Sequence, residues 1–486
     1  MKPDFKPRIL IYFFLLNAFI SMQGQISANQ AKIQIDQLLQ NSDFESATLG
    51  ICLTEVKSGK MVFEYNAKKS LIPASTMKIL TTGAAIGILG KNFQYKTKLV
   101  FTGEIENSSG TLNGDLIIIG SGDPSLASQY FRKKNDSTSV VNEFLEILLK
   151  KGIKKINGNI IADNSCFEND LPDNWIWSDI GNYYGAGADG LSYMDNKFSL
   201  YFNSKDIDTE AKLLPLSSDL IDLNFDSEVV AAGKKDNAVV YGSPYEKTRK
   251  IGGFIPPLKD SFEVEAALPN PALYFAKSLK KILQKNEISV NGNCKVEKND
   301  RPTTELFTHL SPTLDKIVYY CNLKSNNQYA ESLLKTLGLK KNKRGNTING
   351  IAAVEEFWKS RGIDTKAIFI SDGSGLSRSN GITPEQQSRI LTIISKDSLL
   401  FKPIYNSLPI SGISGSLAGI GKGTVLENNL HAKSGYIERV RAYCGYLNNQ
   451  SKQTCSISVI LNNYACSAST AKLLVEKVML IVYAIK

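Results

Sequence analysis

Ser75 and Lys78 are the residues whose types and spacing most directly suggest chemistry. They stand in the stretch Pro73-Ala74-Ser75-Thr76-Met77-Lys78-Ile79-Leu80. Pro73 suits a helix entry, because proline lacks the N–H that the first turn cannot use. Met77, Ile79, Leu80, Ala84, Ala85, Ile88 and Leu89 then predict a largely buried apolar helix. Residues three apart share a helix face, so Lys78 stacks one turn above Ser75. A serine hydroxyl is a weak nucleophile until a base takes its proton. Desolvation lowers the pKa of a lysine in an apolar helix, so that it can act as that base while neutral. The free N–H groups of a helix start add positive potential beside the serine. A motif this short also occurs by chance, so the rest of the chain must supply its context.

The elements that must hold this pair are legible nearby. Gln30–Gln40 reads as a helix. Ala47–Glu55 and Met61–Tyr65 read as strands joined by a Lys57-Ser58-Gly59-Lys60 turn. From about Gln94 to Leu268 the texture changes to short strands with frequent turn signals, broken by a helix at Val141–Lys150. This predicts an insertion of one or two modules. A regular amphipathic helix returns at Pro269–Leu283. Gln328–Leu337, Thr383–Ser395 and Leu473–Ile485 read as further helices, and Arg441–Leu447 and Thr454–Leu461 as strands. The expected division is a leader at 1–24 and a discontinuous main unit of 25–93 and 269–486. An inserted domain of 94–195 and 245–268 holds a nested domain at 196–244. At 486 residues, several domains are expected.

Met1 to Arg8 is charged and Ile9–Ile20 is apolar. That is the form of a secretory leader, too short to span a bilayer, with cleavage near Gly24. The expectation is an exported, periplasmic protein with at most peripheral membrane contact. The net charge of +10 is dispersed. Its densest cluster, Lys340-Lys341-Asn342-Lys343-Arg344, reads as a solvated loop, and no aromatic-basic interleaving marks a nucleic-acid partner. The seven cysteines include no C-x-x-C pair, which argues against a zinc site. Cys444 and Cys455 flank a turn between two strands. They are either a cross-strand disulfide or two unrelated buried thiols.

Two more motifs follow Ser75/Lys78 in order: Ser325-Asn326-Asn327 and Lys433-Ser434-Gly435. S-x-x-K, S-D-N and K-T-G together mark penicillin-binding proteins and class A β-lactamases. Here the second reads S-N-N and the third K-S-G, each keeping its outer polar groups. Gly122-Asp123-Pro124-Ser125-Leu126, Ser325 to Leu333, Asp372-Gly373-Ser374-Gly375-Leu376-Ser377-Arg378 and Leu408-Pro409-Ile410-Ser411-Gly412 also resemble the D-alanyl-D-alanine carboxypeptidase/endopeptidase family. This is the class C low-molecular-mass, PBP4-like group, and the resemblance spans essentially the whole mature chain. It implies an α/β (α+β) fold, with an antiparallel sheet between helices interrupted by a strand-rich insertion.

It also implies acyl transfer on peptidoglycan stem peptides, without a cofactor, inhibited by β-lactams. Carried over, Ser75 is the nucleophile and Lys78 the base. Ser325 relays a proton to the leaving amine. Asn327 holds the substrate backbone. Lys433 and Ser434 bind the terminal carboxylate. The backbone N–H groups of Ser75 and Tyr436 form the oxyanion hole, and Gly435 permits close approach. Asp179, inside the insertion beside Trp175 and Trp177, is either a site for a cationic group of the stem peptide or a solvent-facing loop residue.

Several patterns compete. Tyr320-Cys321-Asn322 matches a Y-x-N motif but sits in an apolar helical run and reads as core. A Ser-His-Asp triad would need His309 or His431, and no G-x-S-x-G elbow exists. Gly419–Thr424 faintly resembles a phosphate loop, but Gly423 stands where a serine or threonine belongs. Two alternatives to the peptidase reading remain: a serine β-lactamase or esterase of the same superfamily, and a non-catalytic penicillin-recognising protein.

Overall fold

The computed structural model describes residues 24–131, 139–216 and 221–486. The expected leader lies outside these residues, apart from Gly24. The main unit is built on a five-stranded antiparallel sheet. Its strand order is Met61–Tyr65, Thr48–Glu55, Thr454–Asn462, Val440–Asn448, Leu430–Ile437. The central strands are apolar on both faces because helices cover both. Ala28–Leu39 and Ala468–Tyr483 pack on one side. Lys78–Leu89, Leu314–Leu323, Asn327–Asn342, Thr347–Lys359 and Pro384–Lys396 fill the other. The antiparallel sheet between helices is therefore as expected.

The pairing of Val440–Asn448 with Thr454–Asn462 settles the cysteine alternatives. Leu447 stands opposite Cys455, and Cys444 opposite Ser458. Side chains alternate along a strand. Cys444 therefore faces the core around the Lys78 helix while Cys455 faces the terminal helix, and both are free buried thiols.

The insertion holds two layers of its own. The first has a mixed sheet ordered Cys294–Val296, Ile160–Asp163, Leu116–Ile119, Lys96–Phe101, Thr304–Leu310. Helices Ser139–Lys150 and Pro271–Lys285 share its core through Val141, Phe144, Phe275 and Leu279. The second layer pairs Lys197–Ser204 with Lys259–Ala267, and Thr248–Gly252 with Asn224–Ser227 and Val239–Tyr241. These pairings move two expected boundaries. The segment from Pro271 to Leu310 goes with the inserted layer rather than the main unit. Residues 248–267 go with the nested module rather than its host. Both displaced segments are held by strand partners more than a hundred residues away in sequence or across the nested loop, which local texture cannot register.

Many polar links tie the insertion to the main unit, among them these three. Lys335, 2 % exposed, donates to the carbonyls of Glu168 and Asp170 and to the Asp170 carboxylate. Trp175 Nε1 donates to Asp372 Oδ2 at 2.8 Å. Asn327 Nδ2 donates to the Tyr184 carbonyl at 2.8 Å. The last two lie at the site described next.

Candidate active site

Ser75 does not open an α-helix directly. Ala74–Met77 forms a 3-10 turn, and the α-helix starts at Lys78. In a 3-10 turn residues i and i+3 eclipse. That brings Lys78 Nζ to 3.1 Å from Ser75 Oγ. The same ammonium donates to Asn327 Oδ1 at 2.6 Å and to the Ser374 carbonyl at 2.7 Å. Lys78 is fully buried, and that burial lowers its pKa to about 8. Ala74, just before the serine, has φ 45°, a strained value for a residue with a Cβ.

The other two motifs converge on this pair. Ser325 holds φ 57° at the end of helix Leu314–Leu323, and Asn327 begins the next helix. Lys433 sits on the edge strand Leu430–Ile437. Its Nζ donates to Ser325 Oγ at 2.9 Å and to the Ser434 carbonyl at 2.6 Å. Burial first, and then repulsion from Lys78, lower its pKa to about 7. Ser434 Oγ donates to Ser416 Oγ at 2.6 Å. The strand runs tight against the serine turn: a Cβ on Gly435 would lie 2.5 Å from the Pro73 carbonyl oxygen and 3.1 Å from Ser75 N. Tyr436 is half-exposed, with the Arg441 guanidinium 4.1 Å from its ring centre.

A buried polar layer supports the pair from behind. Asp372 accepts from the N–H groups of Gly375 and Ser377, from Asn380 Nδ2 and from Trp175. This fixes the loop whose Ser374 carbonyl meets Lys78. Gly375, at φ 80°, presses this loop onto the serine turn, since a Cβ there would lie 1.9 Å from the Ala74 carbonyl oxygen. Glu331 accepts from Gly373 N. Burial and the nearby Asp372 charge raise its pKa to about 8, so it is largely protonated at neutral pH.

Ser75, Ser325, Asn327 and Tyr436 line a cleft of about 820 Å³, and Asp179 lines it too. The arrangement therefore brings Asp179 to the same cavity as Ser75, Ser325, Asn327 and Tyr436, the residue that follows the third motif. It also gives Asp179 a cation of its own: Arg378 NH1 lies 3.6 Å from its Oδ2, and Arg378 also faces Glu438. Burial raises the Asp179 pKa and Arg378 opposes the rise. Neither the Ser374 carbonyl nor Arg378 was singled out from sequence. The first is a backbone group without a side-chain signature. The second stood within the quoted Asp372-to-Arg378 stretch, but nothing there pointed it at Asp179.

The chain matches the model of the D-Ala-D-Ala carboxypeptidase 3 (S13) family over residues 31–480. It belongs to that family. It is 26 % identical to D-alanyl-D-alanine carboxypeptidase DacB of Haemophilus influenzae, over 90 % of this chain and 89 % of that one. It is also 26 % identical to a D-alanyl-D-alanine carboxypeptidase of an Actinomadura species, over 90 % and 82 %. The crystal structure of penicillin-binding protein 4 (dacB) from H. influenzae superposes with a TM-score of 0.79, at 26 % identity, over 92 % of this chain and 98 % of that one. The S13 assignment makes this chain a serine-type D-Ala-D-Ala carboxypeptidase.

The competing patterns sit elsewhere or do other work. His431 stacks on Tyr405 at 4.6 Å, and burial lowers its pKa. His309 pairs with Glu143 in the inserted layer. In the glycine-rich loop, the N–H groups of Gly421 and Gly423 are donated to Glu476 and Glu427, which leaves them no role toward a phosphate. Asn322 is buried against Thr82 and Ser407, as expected of core. Tyr320 departs from that expectation: it is only half-buried, in an aromatic cluster with Tyr130 and Phe131.

Proposed function

We propose that Ser75 carries the acyl-transfer chemistry on peptidoglycan stem peptides. The observation that carries this reading is the contact of the fully buried Lys78 ammonium with Ser75 Oγ. Ser75 Oγ attacks the carbonyl between two D-alanines as Lys78, in its neutral form, takes the hydroxyl proton. The backbone N–H groups of Ser75 and Tyr436 receive the oxyanion. The C–N bond then breaks, and Ser325 passes its proton to the leaving amine. Lys433 re-protonates Ser325 across their 2.9 Å contact. Lys78 has gained one proton and Lys433 has lost one, so the pair keeps its count. A proton passes back from Lys78 to Lys433, which frees Lys78 to take the proton of the attacking water and return it to Ser75 Oγ as the ester C–O bond breaks. Asn327 holds the substrate backbone, while Lys433 and Ser434 bind the terminal carboxylate. Gly435 lets the substrate lie close to the strand. A carboxylate arriving beside Lys433 favours its charged form, offsetting the burial that lowers its pKa.

The leaving amine can belong to free D-alanine or to a second stem peptide, so both carboxypeptidase and DD-endopeptidase action follow from one mechanism. Asp179 is the proposed contact for a cationic group of the stem, which must share it with Arg378. β-Lactams mimic the scissile amide and acylate Ser75. The leader-like N-terminus and this substrate support export to the periplasm. Among the described residues no helix is long and apolar enough to cross a membrane.

The test is incubation with fluorescent penicillin, then with purified muropeptides, reading out D-alanine and cleaved cross-links. Labelling maps to Ser75 and disappears in Ser75→Ala, which still folds. An adduct elsewhere, or none, refutes the assignment. Rapid turnover of penicillin without D-alanine release would instead favour a β-lactamase.

A further inference from the structure

Beside the catalytic cleft lies a second hollow of about 440 Å³, and Tyr130 lines both. Its floor is aromatic. Tyr130 stacks on Tyr320 with ring centres 5.0 Å apart and planes inclined by 13°. Tyr319 meets Tyr320 edge-on at 5.1 Å and is 38 % exposed. The rim is polar: Asp315, Lys316 and Asn406. Tyr319 and Tyr320 lie on helix Leu314–Leu323, which leads into Ser325. The ledge is therefore continuous with the cleft through one shared side chain and joined to Ser325 through one helix.

The exposed Tyr319 ring, standing beside the stacked Tyr130–Tyr320 pair and near hydrogen-bonding groups, suits a ligand with an apolar C–H face and polar edges. A pyranose ring has that chemistry, and each stem peptide is attached to an N-acetylated amino sugar. We propose that the Tyr130–Tyr319–Tyr320 ledge binds the glycan to which the stem peptide is attached. This inference rests on the reading of Ser75 as a stem-peptide hydrolase. The ledge makes the enzyme prefer stems still joined to sugar over free peptides of the same sequence. It takes no part in the bond-breaking steps.

The experiment compares kcat/KM for a disaccharide pentapeptide with that for the identical free pentapeptide, in the native enzyme, in Tyr319→Ala and in Tyr319→Trp. Penicillin acylation is measured alongside. The native enzyme favours the disaccharide form about two- to tenfold, the range that one aromatic contact contributes. Tyr319→Ala brings the ratio to about one, and Tyr319→Trp restores it. Saturation-transfer NMR on the peptide-free disaccharide gives a signal with the native enzyme and none with Tyr319→Ala. Equal use of both substrates by the native enzyme overturns the proposal, as does a ratio that survives Tyr319→Ala. Parallel loss toward both peptides and penicillin in Tyr319→Ala makes Tyr319 structural and overturns it too. Failure of penicillin to label Ser75 in the native enzyme would instead count against the hydrolase reading, and the NMR titration would still decide the ledge.

Discussion

Raising the pH from 6 to 9 titrates the two buried lysines at the site, and the acylation rate should record both. The productive form has one proton on the pair, with Lys78 neutral to accept from Ser75 and Lys433 charged to meet a carboxylate. Burial brings the two pKa values to about 8 and about 7, and they belong to the pair as a whole. An ordinary lysine of pKa about 10.5 is neutral in only about three molecules per ten thousand at pH 7, whereas a pKa of about 8 raises this to about one in ten. With macroscopic values near 7 and 8, the singly protonated form reaches about six-tenths of the population near pH 7.5 and falls to about one-tenth at pH 6 and at pH 9. Within that form the proton prefers Lys78, so an incoming carboxylate must draw it to Lys433. This lowers the amplitude without moving the limbs. The assay is the second-order rate of penicillin acylation by stopped-flow fluorescence at constant ionic strength. A narrow bell centred near pH 7.5 is expected. Lys433→Met moves the ascending limb to about pH 8, where Lys78 alone titrates, and loses the descending one, at a much lower rate. A profile that rises through pH 10, or one flat from 6 to 9, refutes the two-lysine account.

Asp179→Asn should slow muropeptides bearing a free amine several-fold and leave penicillin acylation nearly unchanged; equal loss toward both makes Asp179 structural, and no loss toward either makes it ordinary cleft surface. Trp175→Phe removes the indole donor from a buried carboxylate, a loss of about 1.5–3 kcal/mol of stability for a hydrogen bond to a charged group; an unchanged urea midpoint would show that the remaining three donors satisfy Asp372 alone. Gly435→Ala forces a methyl against the Pro73 carbonyl and should cut acylation more than tenfold while the far-ultraviolet circular dichroism stays native; native-like acylation would show that the strand has room to move.

What was legible in the sequence was local. The Ser75/Lys78 spacing implies one face whether the turn is α or 3-10, so the pair survived a wrong helix type. Ser325, Asn327 and Lys433 are legible as candidates because side-chain identities at fixed offsets carry the motif. The module boundaries were not, because Cys294–Val296 and Thr304–Leu310 find their partners at Ile160–Asp163 and Lys96–Phe101, far back in the chain. Cys444 and Cys455 looked symmetric about their turn, yet the register puts them on opposite faces. The Ser374 carbonyl, which holds Lys78 in place, could be any residue's carbonyl.

The same non-local contacts change what the insertion is for. On sequence grounds the three motifs need only the flanking segments, and the insertion looks like a substrate-positioning addition. The hydrogen bonds argue for more. Asn327 accepts from the Lys78 ammonium through Oδ1 while its Nδ2 is given to the Tyr184 carbonyl, inside the insertion. The opposite amide orientation would set an NH2 group against an ammonium, so both partners select one rotamer. Trp175, four residues before Asp179, is buried at 6 % exposure and clamps Asp372, which in turn shapes the loop behind Lys78. Its neighbours Ile176, Ser178 and Asp179 line the cleft. The segment that carries Asp179, the proposed contact for a stem peptide, is therefore anchored on the loop whose Ser374 carbonyl meets Lys78. Asp179 and Lys78 thus share one hydrogen-bonded support, and neither can shift without straining the other.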